Sequence, residues 1–217
     1  IPPEGIIDEN GERIPWELCA TMNNHWGYCN FDHEYKQADM LIRKLVECTS
    51  KGGNMILNVG PDAKGRIPKE SVQILEEIGA WMERNGESIY GCGISEIPKP
   101  EWGRYTQNAD TIYAHVYEAP LGALPLYGIA PDRLDKVYYL ADGSEMTRGE
   151  AWNTVLFQDV AFVSLGANPV FTYPLPDPID TVLKIKIKKA AGCVREWTSL
   201  PPFLAKLFYS KSSSTGQ

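Results

Sequence analysis

Apolar and polar positions between residues 16 and 90 alternate between strand-like and helix-like patterns. Residues 17–22 and 54–59 are short apolar segments that predict strands, and the second predicts a strand buried on both faces. Apolar residues recur at helical spacing over 33–50 and 68–85, and Asp32 is placed to cap the first of these helices. The order strand, helix, strand, helix is typical of a βαβα unit in an α/β fold, including the (β/α)₈ barrel.

The pattern changes after Tyr90, where strict alternation replaces the helical period. Four alternating segments predict strands at 111–117, 136–140, 160–165 and 182–188. Turn residues separate them, which is typical of an antiparallel β-sandwich. We therefore predict α/β followed by all-β as the fold class.

Glycine and proline cluster between residues 91 and 100 and predict the domain boundary there. The expected organisation is an α/β part over 1–95, a β-sandwich over 96–190 and a tail over 191–217. The polar end of that tail predicts partial disorder. Because the chain begins at Ile1, we expect it to be the tail of a longer polypeptide.

Charge and cysteine usage exclude several function classes. The chain has 21 basic and 28 acidic residues, a net charge of −7, which argues against a nucleic-acid partner. No apolar run reaches the roughly 20 residues of a membrane span. The five cysteines include no CxxC pair, so we expect free thiols, although Cys19 and Cys29 could lie close together. Free thiols and the absence of an Asn-x-Ser/Thr sequon favour a bacterial or cytoplasmic protein.

No cofactor or metal is expected from the sequence. The three histidines, His25, His33 and His115, show no metal-ligand spacing. The glycines between residues 52 and 65 form neither a GxGxxG motif nor a phosphate-binding loop. Turn geometry is the simpler explanation for them.

The segment Trp16–Tyr28 combines a carboxylate with two aromatic patches. Glu17 follows Trp16, and Trp26-Gly27-Tyr28 follows nine residues later. Glycosidase sites need aromatic faces for the sugar ring and an acid for the glycosidic oxygen. The alternatives are a structural carboxylate at Glu17 that bonds backbone amides or an arginine such as Arg13, a Trp26 packed between loops and a solvated His25 in the same segment.

Four motifs in order resemble the α-L-fucosidases of glycoside hydrolase family 29. They are the Trp16–Tyr28 segment, the stretch Ser50–Pro61, the stretch Gly65–Pro68 and the stretch Asn85–Gly91. The resemblance covers residues 16 to about 90, whereas the later half is similar only in its all-β character. It implies that residues 1–95 are the last βα units of a (β/α)₈-type catalytic barrel.

The resemblance also implies the chemistry, which is hydrolysis of terminal α-L-fucose from glycans with retention, through a fucosyl-enzyme intermediate. Glu17 matches a glutamate that serves as acid/base in several family members, and we expect it near the carboxyl end of a barrel strand. Trp26, Trp16 and His25 are the expected substrate-binding residues. The family's nucleophilic aspartate has no counterpart here, so we expect it outside this chain.

The expected partners follow from the same resemblance. They are a fucosylated glycan substrate and, because a cut barrel exposes strand edges, the missing barrel segment or a second copy of the chain. Neither nucleic acid nor a membrane is expected. The alternative is a non-catalytic carbohydrate-binding or interaction module derived from such an enzyme.

Overall fold

The computed structural model describes residues 1–149, 156–166 and 173–188. The predicted tail over 191–217 lies outside the described residues. The structure combines helices and strands, with strands in the majority. In chain order the elements are β1 (Ile6–Ile7), β2 (Arg13–Ile14), β3 (Trp16–Thr21), α1 (Ala38–Ser50), β4 (Gly53–Asn58), α2 (Lys69–Asn85), a 3₁₀ turn (Gly86–Ser88), β5 (Gly93–Ile94), β6 (Gly103–Asn108), β7 (Thr111–Val116), β8 (Leu124–Leu126), β9 (Leu134–Tyr139), β10 (Ala161–Val163) and β11 (Thr181–Ile187).

The predicted βαβα unit is confirmed. β3 and β4 pair in parallel, from Trp16 opposite Gly53 to Thr21 opposite Asn58, and α1 connects them. The apolar stripes of α1 and α2 face the sheets, and Ile42, Val46 and Trp81 are almost fully buried. Gly52 ends the first helix with a φ of 71°, a conformation that glycine adopts without a steric penalty.

Helix α1 begins five residues later than predicted, and Asp32 does not cap it. The N-cap residue is Gln37, whose side chain makes no capping hydrogen bond. The predicted start was wrong because the polar residues before Ala38 form a loop, which Asp32 organises from within. The lead-in before β3, residues 1–15, contains the short β1–β2 hairpin.

The prediction that β4 is buried on both faces was also wrong. Its residues alternate, so one face packs against the helices and the other leaves Asn54 and Ile56 exposed. On the neighbouring strand Glu17 and Cys19 are exposed on the same face, directly opposite those two residues. We call this surface the open face; no described element covers it.

Five strands form an antiparallel sheet in the order β5-β6-β7-β11-β9. The four predicted alternating segments correspond to β7, β9, β10 and β11, so those predictions are confirmed. One face of this sheet packs Tyr113 and Val182 against the two helices. The other face packs against the β8–β10 pair and buries a larger apolar cluster that includes Ile112, Leu183 and Ile185.

A buried polar chain ties the 3₁₀ turn to the five-stranded sheet. Asp180 Oδ2 lies 2.7 Å from His115 Nδ1, and His115 Nε2 lies 3.1 Å from Thr106 Oγ1. Thr106 in turn donates to the carbonyl of Ser88 at 2.7 Å. All four residues are fully buried. His115 therefore has a structural role, since it connects Asp180 on one side to Thr106 on the other.

Three further expectations concern cysteine pairing, metal sites and membrane spans. Cys19, Cys29, Cys48 and Cys92 are unpaired in the structure, while Cys193 lies outside the described residues. Across residues 1–149, 156–166 and 173–188, His, Cys, Asp and Glu side chains do not gather into a group that could hold a metal ion. Among the described helices, neither length nor apolar character is sufficient to cross a membrane.

Candidate active site

The loop between β3 and α1 concentrates exposed aromatic side chains at the carboxyl end of the parallel strands. Trp26 is 58% exposed, Tyr28 is 51% exposed and Phe31 is 90% exposed. Exposed large rings on one loop are unusual on a surface that binds nothing. We call residues 23–34 the aromatic loop. A cleft of about 470 Å³ separates it from residues 62–70.

Asp32 organises the aromatic loop from a buried position. Its carboxylate lies 2.6 Å from His25 Nδ1 and accepts hydrogen bonds from the backbone amides of Asn24 and Glu34 at 2.9 and 3.1 Å. The hydrogen bond from His25, together with these amides, holds the pKa of Asp32 below its ordinary value although burial opposes it. Because Nδ1 is engaged, Nε2 of the half-exposed His25 ring is the nitrogen available to a ligand.

The end of β4 anchors the aromatic loop. Asn58 donates from Nδ2 to the carbonyl oxygen of Trp26 at 2.7 Å. Gly60 lies directly under the loop, since a Cβ atom there would stand 2.7 Å from the carbonyl carbon of Gly27 and 2.8 Å from the amide nitrogen of Tyr28. The Trp26-Gly27-Tyr28 backbone therefore rests on the segment that follows β4.

Glu17 does not lie near the carboxyl end of its strand, where the sequence analysis placed it. It is the second residue of β3, so it stands four residues before the carboxyl end of the strand, or about 13 Å at the rise of an extended chain. Its side chain is exposed on the open face. No hydrogen bond or ion pair joins its carboxylate to another described residue. Arg13, a possible partner in the structural alternative, donates instead to the carbonyl of Glu4 at 2.7 Å.

Trp16 is not part of the aromatic loop. It is 9% exposed, donates from Nε1 to the carbonyl of Lys51 at 3.2 Å and packs on Gly53 so closely that a Cβ there would lie 2.3 Å from its ring. It faces away from the open face, because strand residues alternate. Trp26 and His25 thus lie in the aromatic loop after β3, whereas Glu17 and Trp16 lie at the opposite end of β3.

Comparison with known proteins shows what this part of the chain is similar to. The family model described as Alpha-L-fucosidase matches residues 3–87, which include β3, the aromatic loop, β4 and α2. The chain is similar to the α-L-fucosidases of glycoside hydrolase family 29. An α-L-fucosidase of Dictyostelium discoideum is 41% identical over 112 residues, which make up 48% of this chain and 24% of that protein.

Solved structures agree with the sequence comparison. Alpha-L-fucosidase isoenzyme 1 from Paenibacillus thiaminolyticus superposes with a TM-score of 0.81 at 46% identity, covering 87% of this chain and 43% of that one. A family 29 α-L-fucosidase from Bacteroides thetaiotaomicron gives a TM-score of 0.67 at 27% identity, covering 87% and 41%. The chain thus spans less than half the length of the fucosidases it resembles.

The fucosidase resemblance alone did not identify the residues that hold the aromatic loop. Asp32 was interpreted as a helix cap because it precedes an apolar periodic segment, and its bond to His25 spans seven residues without a regular period. Gly60 was explained by turn geometry, whereas the structure shows a close backbone approach.

Proposed function

We propose that this chain is the C-terminal portion of a retaining α-L-fucosidase that hydrolyses terminal α-L-fucose from glycans. The observation that carries the proposal is the position of the aromatic loop. It lies within the family-matched segment, at the carboxyl end of a parallel strand pair, where α/β enzymes place their chemistry.

The proposed architecture is the last βα units of a (β/α)₈-type barrel over 1–95 and a β-sandwich over 96–190. The parallel register of β3 and β4, connected by α1, supports the barrel portion. The open face would then look into the barrel, and the missing strands would cover it. The TM-score of 0.81 with a fucosidase of about twice the length supports the same arrangement.

In this proposal Glu17 is the general acid/base and the nucleophile is a carboxylate outside residues 1–217. A retaining mechanism needs two carboxyl groups about 5–5.5 Å apart. A covalent intermediate was trapped in the Bacteroides thetaiotaomicron relative, which supports a double displacement here. The carboxylate of Glu17 is unpaired among the described residues and exposed on the open face. Because Glu17 stands about 13 Å from the carboxyl end of β3, the substrate would have to extend from the aromatic loop over the open face for the scissile bond to reach it.

Recognition of the sugar falls to the aromatic loop. The Trp26 ring offers an apolar surface to the pyranose and to the C6 methyl group of fucose, worth about 1 kcal/mol by transfer of one methyl. His25, held through Nδ1 by Asp32, presents Nε2 to a sugar hydroxyl. Trp16 contributes indirectly, because its packing on Gly53 sets the position of the neighbouring Glu17.

The proposed partners are the fucosylated glycan and a polypeptide that supplies the remaining barrel strands. β3 and β4 pair only with each other in the described part of the chain, so the outer edge of each can accept another strand. Ile56, 46% exposed at the centre of the open face, gives that association an apolar contact.

The test is hydrolysis of aryl α-L-fucosides by this chain, alone and as a longer polypeptide in which the upstream barrel segment is restored. We expect turnover only from the longer form. There, Glu17→Gln should lower kcat by about 10²–10⁴-fold for a poor phenol leaving group, and by much less for an acidic phenol that leaves without protonation.

Glu76→Gln, an exposed glutamate on α2, is the matched control and should leave turnover unchanged. Trp26→Ala should raise KM more than it lowers kcat. Equal losses for Glu17→Gln and Glu76→Gln, or a Glu17→Gln loss that does not depend on the leaving group, would show that Glu17 is not the acid/base. A longer form that hydrolyses no fucoside would refute the proposed activity itself.

A further inference from the structure

A second cleft lies at the opposite end of the parallel strands from the aromatic loop. Its volume is about 590 Å³, within the range of small-molecule sites. Four parts of the chain form its walls: the lead-in before β3, the end of α1, the segment between β5 and β6, and β6 itself. We call it the basic cleft, for the side chains described next.

Positive charge dominates the basic cleft in a chain whose net charge is −7. Among the described residues, its lining includes four cationic side chains and one carboxylate, that of Glu4. The cations are Arg13, Lys51, Lys99 and Arg104. Opposite charge concentrated in a partly enclosed cleft raises the local concentration of anions.

One carboxylate behind the wall accounts for the two inner cations. Glu47 lies 2.8 Å from the Nζ atoms of both Lys44 and Lys51, and 3.2 Å from Nη2 of Arg104. Burial disfavours its ionised form, but the bonds from Lys44 and Lys51 and the charge of Arg104 outweigh burial and hold the pKa of Glu47 at about 2. One carboxylate thus compensates three cationic side chains, so this group of four residues keeps a net positive charge.

The two outer cations are not neutralised by any described carboxylate. The guanidinium of Arg13 uses one N–H on the carbonyl of Glu4, a neutral acceptor, and forms no ion pair with a described residue. Lys99 is exposed at the rim and likewise has no ion-pair partner among the described residues. Lys51 and Arg104 are held in place, with side chains only 13% and 17% exposed.

We infer that the basic cleft binds a small organic anion carrying at least two oxyanion groups, either carboxylates or a phosphate ester. The guanidinium groups of Arg13 and Arg104, which line the cleft from two different strands, suit bidentate contacts with such groups. Ile94, Ile97 and Pro98 line the same cleft and provide an apolar surface for an organic body. The inference is independent of the proposed fucosidase activity, because the cleft and the aromatic loop lie at opposite ends of the strands.

The test is isothermal titration of the full chain with citrate and with glucose 6-phosphate, each at ionic strength matched with NaCl. Sodium sulfate and glucose are the comparison ligands. We expect one site that takes citrate, the phosphate ester or both, with sulfate at least tenfold weaker and no binding of glucose. Preference between the two organic anions distinguishes a carboxylate ligand from a phosphate ester.

Variants locate the site. Lys99→Glu reverses an exposed charge at the rim and should weaken binding at least tenfold. Lys64→Glu makes the same change on a distant loop, where salt at about 0.1 M screens the charge beyond roughly 10 Å, and should alter binding less than twofold. Glu47→Gln should strengthen binding, because it removes the one compensating charge behind the wall.

Three results would overturn the inference. The first is no saturable binding of either organic anion up to about 10 mM ligand, tenfold above a millimolar Kd. The second is equal losses for Lys99→Glu and Lys64→Glu. The third is sulfate binding as tight as that of the organic anions. If Glu47→Gln fails to fold, the two lysine variants decide the question, since both change exposed side chains.

Discussion

The buried chain of Asp180, His115, Thr106 and Ser88 leads to a prediction about stability: Asp180→Ala should lower the free energy of unfolding by about 3–5 kcal/mol. The geometry sets the magnitude. The Thr106 hydroxyl donates its only proton to the carbonyl of Ser88, so it must accept from Nε2 of His115. His115 Nδ1 and Asp180 Oδ2, 2.7 Å apart, then share the remaining proton.

Removal of the carboxylate leaves His115 Nδ1 without a partner at a position with no solvent access. An unpaired buried polar group costs about 1–3 kcal/mol, and more when it is charged. Burial also raises the pKa of Asp180, because water does not reach its carboxylate. The ionised carboxylate is therefore stabilised by His115 rather than by solvent. Asp180→Asn keeps the shape and an amide that can donate to Nδ1, so we expect a smaller loss of about 1–2 kcal/mol.

Urea unfolding at pH 7, followed by far-ultraviolet circular dichroism, measures the effect, provided that the m-value stays constant. Asp135→Ala is the control, because Asp135 is exposed on β9, and its effect should stay within about 0.5 kcal/mol. If Asp180→Ala lowers the free energy of unfolding by less than about 1 kcal/mol, the argument that His115 Nδ1 is left without a partner is refuted. An Asp180→Asn loss as large as that of Asp180→Ala would refute it as well.

Two further predictions concern Gly60 and Glu47. Gly60→Ala should destabilise the chain by about 1–3 kcal/mol, because its Cβ would meet backbone atoms of Gly27 at 2.7–2.9 Å, and should raise proteolysis of the aromatic loop. Glu47 has a pKa of about 2 against an ordinary 4.5, so its stabilisation is complete above pH 4.5 and disappears as the pH falls towards 2. The shift corresponds to about 3 kcal/mol, or about 1–2 after solvent screening, and Glu47→Gln should remove it.

A control variant and a pH comparison separate these two effects from nonspecific effects of substitution on stability. Gly79→Ala, in α2 with open space around its Cβ position, should stabilise the chain by about 0.5–1 kcal/mol. A Gly60→Ala variant as stable as Gly79→Ala would contradict the close approach. For Glu47→Gln, the difference from the unmodified chain should be largest at neutral pH; a difference that does not change between pH 7 and pH 3 would contradict the shift.

Local periodicity was sufficient to predict most elements of the fold. The alternating segments became β7, β9, β10 and β11, and α2 begins within one residue of its predicted start. These predictions succeed because side-chain burial on a strand or helix repeats with the period of the backbone itself. The prediction of where α1 begins was wrong because the residues before Ala38 have no such period. Only the hydrogen bonds to Asp32 show that these residues form an ordered loop.

The sequence by itself determined the order of the elements, the family resemblance and the aromatic residues after β3, since each is a pattern among neighbours along the chain. Tertiary structure alone decided which face of β4 stays open and that Glu17 lies far from the end of its strand. It also decided that His115 meets Asp180, 65 positions away, and that Arg13 and Lys99 line one cleft. Hydrogen bonds and charges act across space, and a single sequence carries no record of which distant residues the packing brings together.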